Sequence, residues 1–249
     1  MTITAPVRTD RPDQLGWAGA AKKRAELARD SVPPLEGGDH VSRAEFERRY
    51  AAMPYVKRAE LIEGVVYMPS PVHIRHGETH ANVMGWLFMY RMGTPGVRAA
   101  DNVSILFDLD NEIQPDAILF RDLEHGGQCG ITAKGFVVGS PELAVEVASS
   151  SASFDLHTKL RVYRRNGVQE YLVLLAQEER AVWHVLVEGE YHVMEPDEQG
   201  ILRSHVFPGL WLHHEHFWTG DLPKLMAVLD QGLASQEHAD FAAELARAT

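Results

Sequence analysis

Short apolar runs rich in β-branched residues recur along the chain, and turn residues separate them. The runs 102–108 and 112–120 flank the turn sequence DLDN, so they predict a hairpin. A second hairpin is predicted over 181–195. The run 59–69 contains Gly64 and predicts either two short strands or one bent strand.

Helices are predicted where apolar residues recur at intervals of three and four. The sequence SRAE at 42–45 is a capping box, which predicts a helix over 42–53. The segment 73–92 has the helical spacing along one face. The segment 156–167 ends in a glycine, a residue that commonly terminates helices. From residue 221 onward the sequence predicts one or two surface helices.

The order of elements around Glu146 predicts the centre of a sheet. The run 142–148 is apolar on both faces apart from Glu146, which is typical of a fully buried central strand. A polar loop at 149–155, the helix at 156–167 and another apolar run at 169–176 follow. Strand, helix and strand in this order predict a right-handed crossover between parallel neighbours.

The two ends of the chain differ in composition from the region between them. Residues 1–40 are rich in Ala, Pro, Gly and charged residues, and we predict an extension there with one helix over 15–28. Residues 41–220 are predicted to form one domain that includes a further short strand at 201–212, and residues 221–249 a helical extension. A chain of 249 residues with 45% hydrophobic content can bury one sizeable core.

The overall charge constrains the partners of the protein. The formal net charge is -11, so the field of the whole molecule repels polyanions and nucleic-acid binding would need a local basic patch. Lys159, Arg161, Arg164 and Arg165 could form that patch, although a solvated helix face explains them equally well. Cys129 is the only cysteine, which excludes an internal disulfide framework. We expect a cytoplasmic protein, because no signal-like or membrane-spanning apolar stretch occurs.

Two acids on apolar runs, Asp116 and Glu146, are candidates for chemistry. Burying a carboxylate is costly unless a cation neutralises it, and a divalent metal with Lys159 nearby would do so. Mg²⁺ binds through one or two carboxylates while it contacts phosphate oxygens, which favours phosphoryl chemistry. The alternatives are a buried pair of Glu146 with Lys159, or an ordinary helix pair of Asp155 with Lys159.

Histidines form two further groups. His73, His76 and His80 lie near the start of the predicted helix, where packed and hydrogen-bonded histidines are common. The sequence HHEH at 213–216 is more often a partly exposed loop than a metal site.

Several motifs occur in an order that identifies a family resemblance. They are AELIEG, PSPVHIRHG, EIQPDAILF, PELAVEVASSSAS and DLHTKLRVYRRNGVQEYLVL. Over about residues 41–220 the chain resembles the Uma-type family of restriction-endonuclease-like proteins, part of the PD-(D/E)XK nuclease superfamily. The resemblance implies an α/β (α+β) fold: a restriction-endonuclease-like core with a mixed sheet flanked by helices, a β-hairpin extension and terminal helices. It also implies an endonuclease that uses Mg²⁺ (or Mn²⁺) to hydrolyse phosphodiester bonds in DNA.

The resemblance also implies the metal ligands. Asp116 with the preceding proline corresponds to the PD motif, and Glu146 corresponds to the acid of the second motif. Glu60 matches an early glutamate of the family and is implied as a third acidic ligand or a contact to metal-bound water.

Two other positions follow from the same resemblance. A lysine is expected two residues after Glu146, but Ala148 stands there, and Lys159 on the next helix is implied to take its place. His76 matches a position that is usually histidine, and it could face the metal site or the scissile phosphate.

Two further functions stay open from the sequence. A catalytically silent module that binds nucleic acid or protein is favoured by Ala148 and by the acidic net charge. A metal-dependent hydrolase of a small phosphorylated molecule is the third candidate. A homodimer would suit a nuclease that cuts both strands, with 181–212 or the C-terminal helices as the interface.

Overall fold

The computed structural model describes residues 32–68, 72–148 and 152–248, which form helices and short strands. The helix predicted over 15–28 lies outside these residues. The helices are α1 (Arg43–Ala51), α2 (Ile74–Gly93), α3 (152–165), α4 (His214–Thr219), α5 (Leu222–Leu233) and α6 (Gln236–Arg247). Helix α3 consists of α-helical Ala152–Phe154, a π-helical turn at Asp155–Lys159 and α-helical Leu160–Arg165.

The strands are two to eight residues long and are numbered in chain order. They are β1 (Glu60–Ile62), β2 (Val65–Tyr67), β3 (Val97–Asp101), β4 (Ile105–Leu106), β5 (Glu112–Ile113), β6 (Ala117–Arg121), β7 (Cys129–Ile131), β8 (Val137–Gly139), β9 (Leu143–Ala148), β10 (Glu170–Leu175), β11 (Arg180–Val187), β12 (Glu190–Val193), β13 (Ile201–Arg203) and β14 (Trp211–His213).

Two six-stranded sheets and one hairpin organise these strands. The larger sheet has the order β12-β11-β10-β9-β6-β3, the smaller one the order β2-β1-β5-β4-β8-β7, and β13 pairs with β14. In the larger sheet β9 and β10 are parallel and joined through α3, while β6 lies antiparallel to β9 on its other side. The predicted central strand and its parallel pairing with the strand after the helix are therefore confirmed, and the sheet is mixed. The right-handed sense of the crossover stays a prediction.

The run 112–120 is divided between the two sheets, so the prediction of a single hairpin strand is wrong there. Strand β5 pairs with β4 as the hairpin predicts, but β6 pairs with β3 and β9 instead. The break falls at Pro115, which has no N–H to donate to a strand neighbour. The N–H of Gln114 donates to the Glu60 side chain at 2.8 Å rather than to a strand.

Three other segments are more regular than predicted. Helix α3 begins at Ala152, inside the predicted polar loop, and Asp155 within it is buried beside Lys159. The run 201–212 supplies two strands, β13 and β14, rather than one. The HHEH segment ends β14 and starts α4, where His213 Nδ1 accepts a hydrogen bond from the His216 N–H as an N-cap.

The main core lies between the larger sheet, α2 and the C-terminal helices. Trp86 of α2 meets Trp183 of β11 edge to face, with ring centroids 6.0 Å apart. Helices α5 and α6 contribute four buried side chains to the same core: Leu225, Leu229, Phe241 and Leu245. The division of the chain at residue 221 stays a prediction. Among the described helices, none is long and apolar enough to cross a membrane.

A second core cluster lies on the other face of the larger sheet, beneath α3. Ala144 and Ala148 of β9 belong to it, whereas Val145 and Val147 belong to the main core. Because side chains alternate along a strand, the Glu146 side chain lies on the α3 side of the sheet.

Glu170, the first residue of β10, fixes the segment that follows β13. Its carboxylate accepts hydrogen bonds from the Ser204 hydroxyl and the His205 N–H, both at 2.7 Å, and from the Val206 N–H at 3.3 Å. Burial raises the pKa of Glu170 to about 7 although these hydrogen bonds lower it.

Between pH 5 and pH 8, we expect the Glu170→Gln variant to lose less unfolding free energy than the parent protein does. The raised pKa means that the folded protein favours the protonated acid, so stability is lost as the pH rises from the ordinary value of 4.5 through about 7. This shift corresponds to roughly 3 kcal/mol, and glutamine avoids it because it does not ionise. Urea unfolding at both pH values would measure the effect. Identical pH dependence in the two proteins would contradict it.

Candidate active site

Four of the predicted site residues form one buried cluster where the two sheets meet α3. Glu60 begins β1, Asp116 precedes β6, Glu146 lies in β9, and Lys159 ends the π-helical turn of α3. None of them exposes more than 7% of its surface. Residues up to 99 positions apart in the chain are therefore in direct contact.

Lys159 is the centre of this cluster. Its Nζ donates to Glu146 Oε1 at 2.8 Å and to Glu60 Oε1 at 3.0 Å, and Asp155 Oδ1 lies 3.8 Å away. The buried pair with Glu146 and the helix pair with Asp155, proposed as alternatives from the sequence, are thus present together. Lys159 reaches Glu146 from the helix, as the resemblance implies for a lysine that replaces the one expected at Ala148.

Two tyrosines fix the position of α3 over the sheet. The Tyr163 hydroxyl donates to Glu146 Oε1 at 2.8 Å, and the Tyr171 hydroxyl donates to the Asp155 carbonyl at 3.0 Å. Their rings are 4.7 Å apart between centroids. Tyr163 was not among the predicted site residues, but its i, i+4 spacing from Lys159 places both on one face of the helix.

Asp116 is held by one backbone and one side-chain donor. Oδ2 accepts from the Val147 N–H at 2.8 Å, and Oδ1 accepts from Arg58 Nη1 at 2.9 Å. Since β6 and β9 pair antiparallel with Ala117 opposite Val145, Asp116 comes opposite Glu146. Burial raises the pKa of Asp116, but the charge and hydrogen bond of Arg58 outweigh it and leave the pKa below its ordinary value.

Arg58 is a site residue that sequence analysis missed. Besides Asp116 it donates to the Gln114 carbonyl and to Asn102 Oδ1 at 3.2 Å, and it lies 3.9 Å from Glu60 Oε1. The available signal was its position two residues before Glu60, because residues i and i+2 of an extended segment share a face.

The two helix histidines near the site differ in their contacts. His80 Nε2 donates to the Asp116 carbonyl at 2.9 Å, which is the packed role expected of most helix histidines. His76 Nε2 lies 3.9 Å from Asp116 Oδ1, and 14% of its side chain is exposed. His76 is therefore the predicted site residue that is most accessible from outside.

The cluster contains more negative than positive formal charge. Its acids are Glu60, Asp116, Glu146 and Asp155, and its cations are Arg58 and Lys159. Two formal negative charges therefore stay uncompensated when every acid is ionised.

The pKa values of the central pair reflect this imbalance. Burial raises the pKa of Glu146; Lys159 lowers it, and the charges of neighbouring acids raise it further. Burial lowers the pKa of Lys159, but Glu146 and Glu60 raise it well above its ordinary value, so the ammonium stays protonated.

A divalent cation fits this cluster in ligand type and in charge. Carboxylate oxygens are the ligands that Mg²⁺ and Mn²⁺ prefer, and such an ion would neutralise the two excess charges. Asp116, Glu146 and Glu60 are the residues that the family resemblance implies as its ligands. In the arrangement observed, however, Arg58 and Lys159 bind these carboxylates. Within residues 32–68, 72–148 and 152–248, no group of three or more His, Cys, Asp or Glu side chains is placed to hold a metal ion.

The proposed basic patch on α3 is largely neutralised by acids. Arg161 and Arg165 pair with Glu63 at 3.4 and 3.0 Å, and Arg164 pairs with Glu190. The fourth member, Lys159, points into the buried cluster. These arginines thus form a solvated helix face, and binding a phosphate backbone there would require exchange of ion pairs.

Residues 43–215, which include every site residue named above, match the family Uma2, described as putative restriction endonuclease. No curated protein matches the chain. Among solved structures, the chain is similar to the crystal structure of a putative nuclease belonging to DUF820 from Anabaena variabilis ATCC 29413. The TM-score is 0.54 at 14% identity, and the similarity covers 69% of this chain and 96% of that chain. At this identity the likeness concerns the fold, and it confirms the predicted mixed α/β architecture.

Proposed function

Because the chain belongs to the Uma2 family, we propose that it is an endonuclease that requires a divalent metal ion and hydrolyses phosphodiester bonds in DNA. The family supports a nuclease; the metal and the substrate are our proposals. The observation that carries them is the convergence of Glu60, Asp116, Glu146 and Lys159 in one buried cluster with excess negative charge.

In this proposal Asp116, Glu146 and Glu60 hold Mg²⁺ or Mn²⁺. When bound, such an ion polarises a phosphoryl oxygen and lowers the pKa of a coordinated water. The strand pairing supports a joint role of Asp116 and Glu146, because it brings these two residues opposite each other. A metal ion would have to displace Arg58 from Asp116 and Lys159 from Glu146.

Lys159 acts as a fixed positive charge rather than as a base. Its pKa lies well above the ordinary value, so it carries no lone pair with which to take a proton from water. An ammonium held next to Glu146 can stabilise the negative charge that develops on the phosphate during hydrolysis. Glu146 and Glu60 orient it through the two hydrogen bonds described above.

His76 is proposed to contact the scissile phosphate. It is partly exposed, it lies on the first turns of α2, and its Nε2 is 3.9 Å from Asp116. A ring nitrogen at this position can donate a hydrogen bond to a phosphate oxygen without displacing a buried contact.

A catalytically silent module with the nuclease fold is the second candidate, and Arg58 favours it. The guanidinium occupies Oδ1 of Asp116, and Lys159 satisfies Glu146 and Glu60, so internal cations already bind the carboxylates. A metal ion would have to compete with Arg58 for Asp116.

Titration calorimetry with Mn²⁺ and cleavage of supercoiled plasmid would test the proposal on the full chain. We expect Mn²⁺ binding with a dissociation constant of about 1 mM or lower, plasmid cleavage with Mn²⁺ or Mg²⁺, and no cleavage after EDTA treatment. The exposed Glu78→Gln variant on α2 serves as a control and should behave like the parent protein.

Other outcomes would favour the alternatives. An absence of both binding heat and cleavage would favour the silent module. Hydrolysis of bis(p-nitrophenyl) phosphate without cleavage of any DNA would favour the hydrolase of small phosphorylated molecules. The homodimer stays a proposal that equilibrium sedimentation of the full chain can test.

A further inference from the structure

A cavity of about 420 Å³ opens between the end of α1 and the β7–β8 hairpin. Strand β5 supplies its floor through Glu112. The neighbouring Ile113 packs in the core cluster beneath α3, on the side of the candidate active site. Because adjacent residues of a strand face opposite sides, Glu112 and the cavity lie on the other face of the smaller sheet.

The walls of this cavity are mainly apolar and partly aromatic. Tyr50, Met53 and Val56 come from α1 and the segment after it, and Phe136 immediately precedes β8. Phe136 is 37% exposed, so part of its surface is available to a ligand. A ligand with a flat apolar group, such as an aromatic ring, would cover these apolar walls and remove them from water.

Glu112 is the polar group that sets the chemistry of the cavity. It exposes only 2% of its surface, and its Oε2 is buried without a hydrogen-bond partner within the described part of the chain. Buried carboxylate oxygens are normally paired, because an unpaired one has lost its hydration without compensation. The Oε2 atom therefore requires a donor that the described residues do not supply.

The charges around Glu112 do not supply that donor either. Arg43 pairs with Glu47 at 3.2 Å, and Lys134 is exposed on the turn between β7 and β8. Burial raises the pKa of Glu112 to about 7, and the charge of Glu47 raises it further. A hydrogen bond with Ser104 and the charge of Arg43 lower the pKa by smaller amounts. No ion pair joins Glu112 to a cation within the described part of the chain, and Oε2 stays without a donor there.

We propose that this cavity binds a small organic cation, an amine or amidine carried on a flat apolar body, with its N–H groups donating to Glu112. The apolar walls cover the body of such a ligand, and the buried carboxylate pairs with its charge. Anionic ligands are disfavoured because the lining holds two acids, Glu47 and Glu112, and one cation, Lys134. A hard metal ion is disfavoured because it needs several oxygen ligands, whereas the cavity walls are apolar.

Calorimetric titration of the full chain with benzylamine and with benzyl alcohol tests this site. The two probes share a ring and differ mainly in the cationic group. We expect benzylamine to bind at least about tenfold more tightly than benzyl alcohol, and Glu112→Gln to remove this preference. Equal affinities for the two probes, or a preference that survives Glu112→Gln, would overturn the proposal.

Thermal unfolding and a second variant distinguish loss of the site from a folding defect. Glu112→Gln removes a buried carboxyl with an unpaired oxygen, so its thermal midpoint should not fall below that of the parent. Phe136→Ala changes a partly exposed side chain and should weaken both probes severalfold, and unchanged affinity for both would also overturn the site.

The candidate active site must be excluded as the place of binding. Asp116→Asn alters only that site and should leave benzylamine affinity unchanged. Loss of binding in Asp116→Asn but not in Glu112→Gln would place the cation among the active-site carboxylates instead. Neither result depends on nuclease activity, so failure of this proposal is separate from failure of the proposed function.

Discussion

The variant Asp116→Asn is expected to cleave DNA more slowly by a factor on the order of 10³ or more while it keeps its fold. The change removes a negative charge from the proposed metal site but keeps the size of the side chain. The amide oxygen can still accept the hydrogen bond from Val147, which holds the strand ends together. Plasmid cleavage measures the loss of activity, and circular dichroism with thermal unfolding measures the fold.

Asp122→Asn is the matched control for this experiment. Asp122 follows the same strand, β6, but its side chain is 38% exposed and pairs with Arg98 at 3.1 Å. Surface ion pairs contribute little, so its activity and stability should equal those of the parent. Undiminished cleavage by the folded Asp116→Asn variant would remove Asp116 from the proposed mechanism.

The variant Lys159→Met is expected to lose about 3–5 kcal/mol of unfolding free energy at neutral pH. The substitution leaves Glu60, Glu146 and Asp155 buried near one another without the ammonium that now contacts all three. The double variant Lys159→Met, Glu146→Gln should recover a large part of the loss, because one of these charges is then absent. Urea unfolding of the parent, both single variants and the double variant gives the coupling energy.

Arg161→Met is the control for Lys159→Met on the same helix. Arg161 pairs with Glu63 at 3.4 Å at the surface, so its loss should cost less than about 1 kcal/mol. A similarly small cost for Lys159→Met would show that the buried contacts of Lys159 do not stabilise the fold. If the folded double variant cleaves DNA at the parental rate, neither Lys159 nor Glu146 takes part in catalysis.

The central strand and the acids could be predicted because local patterns report burial. A run apolar on both faces with a single acid, as in β9, has few explanations other than a buried strand with a special carboxylate. The glycine after α3 likewise marks the end of the helix, since Gly167 adopts a φ of 79° that other residues avoid.

The contact between Asp116 and Arg58 could not be predicted, because it depends on tertiary placement. Arg58 lies outside any helix or strand, and its contact with Asp116 joins residues 58 positions apart. The break at Pro115 is also tertiary, because the Gln114 N–H is satisfied by Glu60 from another strand. Local periodicity describes a run of residues but not the sheet to which each half belongs.

The π-helical turn at Asp155–Lys159 has a consequence for changes in chain length. Such a turn holds one more residue than an α-helical turn, so it is equivalent to a single-residue insertion in α3. Deleting the exposed His157 would restore α-helical winding and rotate Lys159 relative to Leu160–Arg165 and the sheet. The contact of Lys159 with Glu146 therefore depends on the number of residues between β9 and Lys159 as much as on their identity. An insertion or deletion within this turn would disrupt the cluster even if every charged side chain were kept.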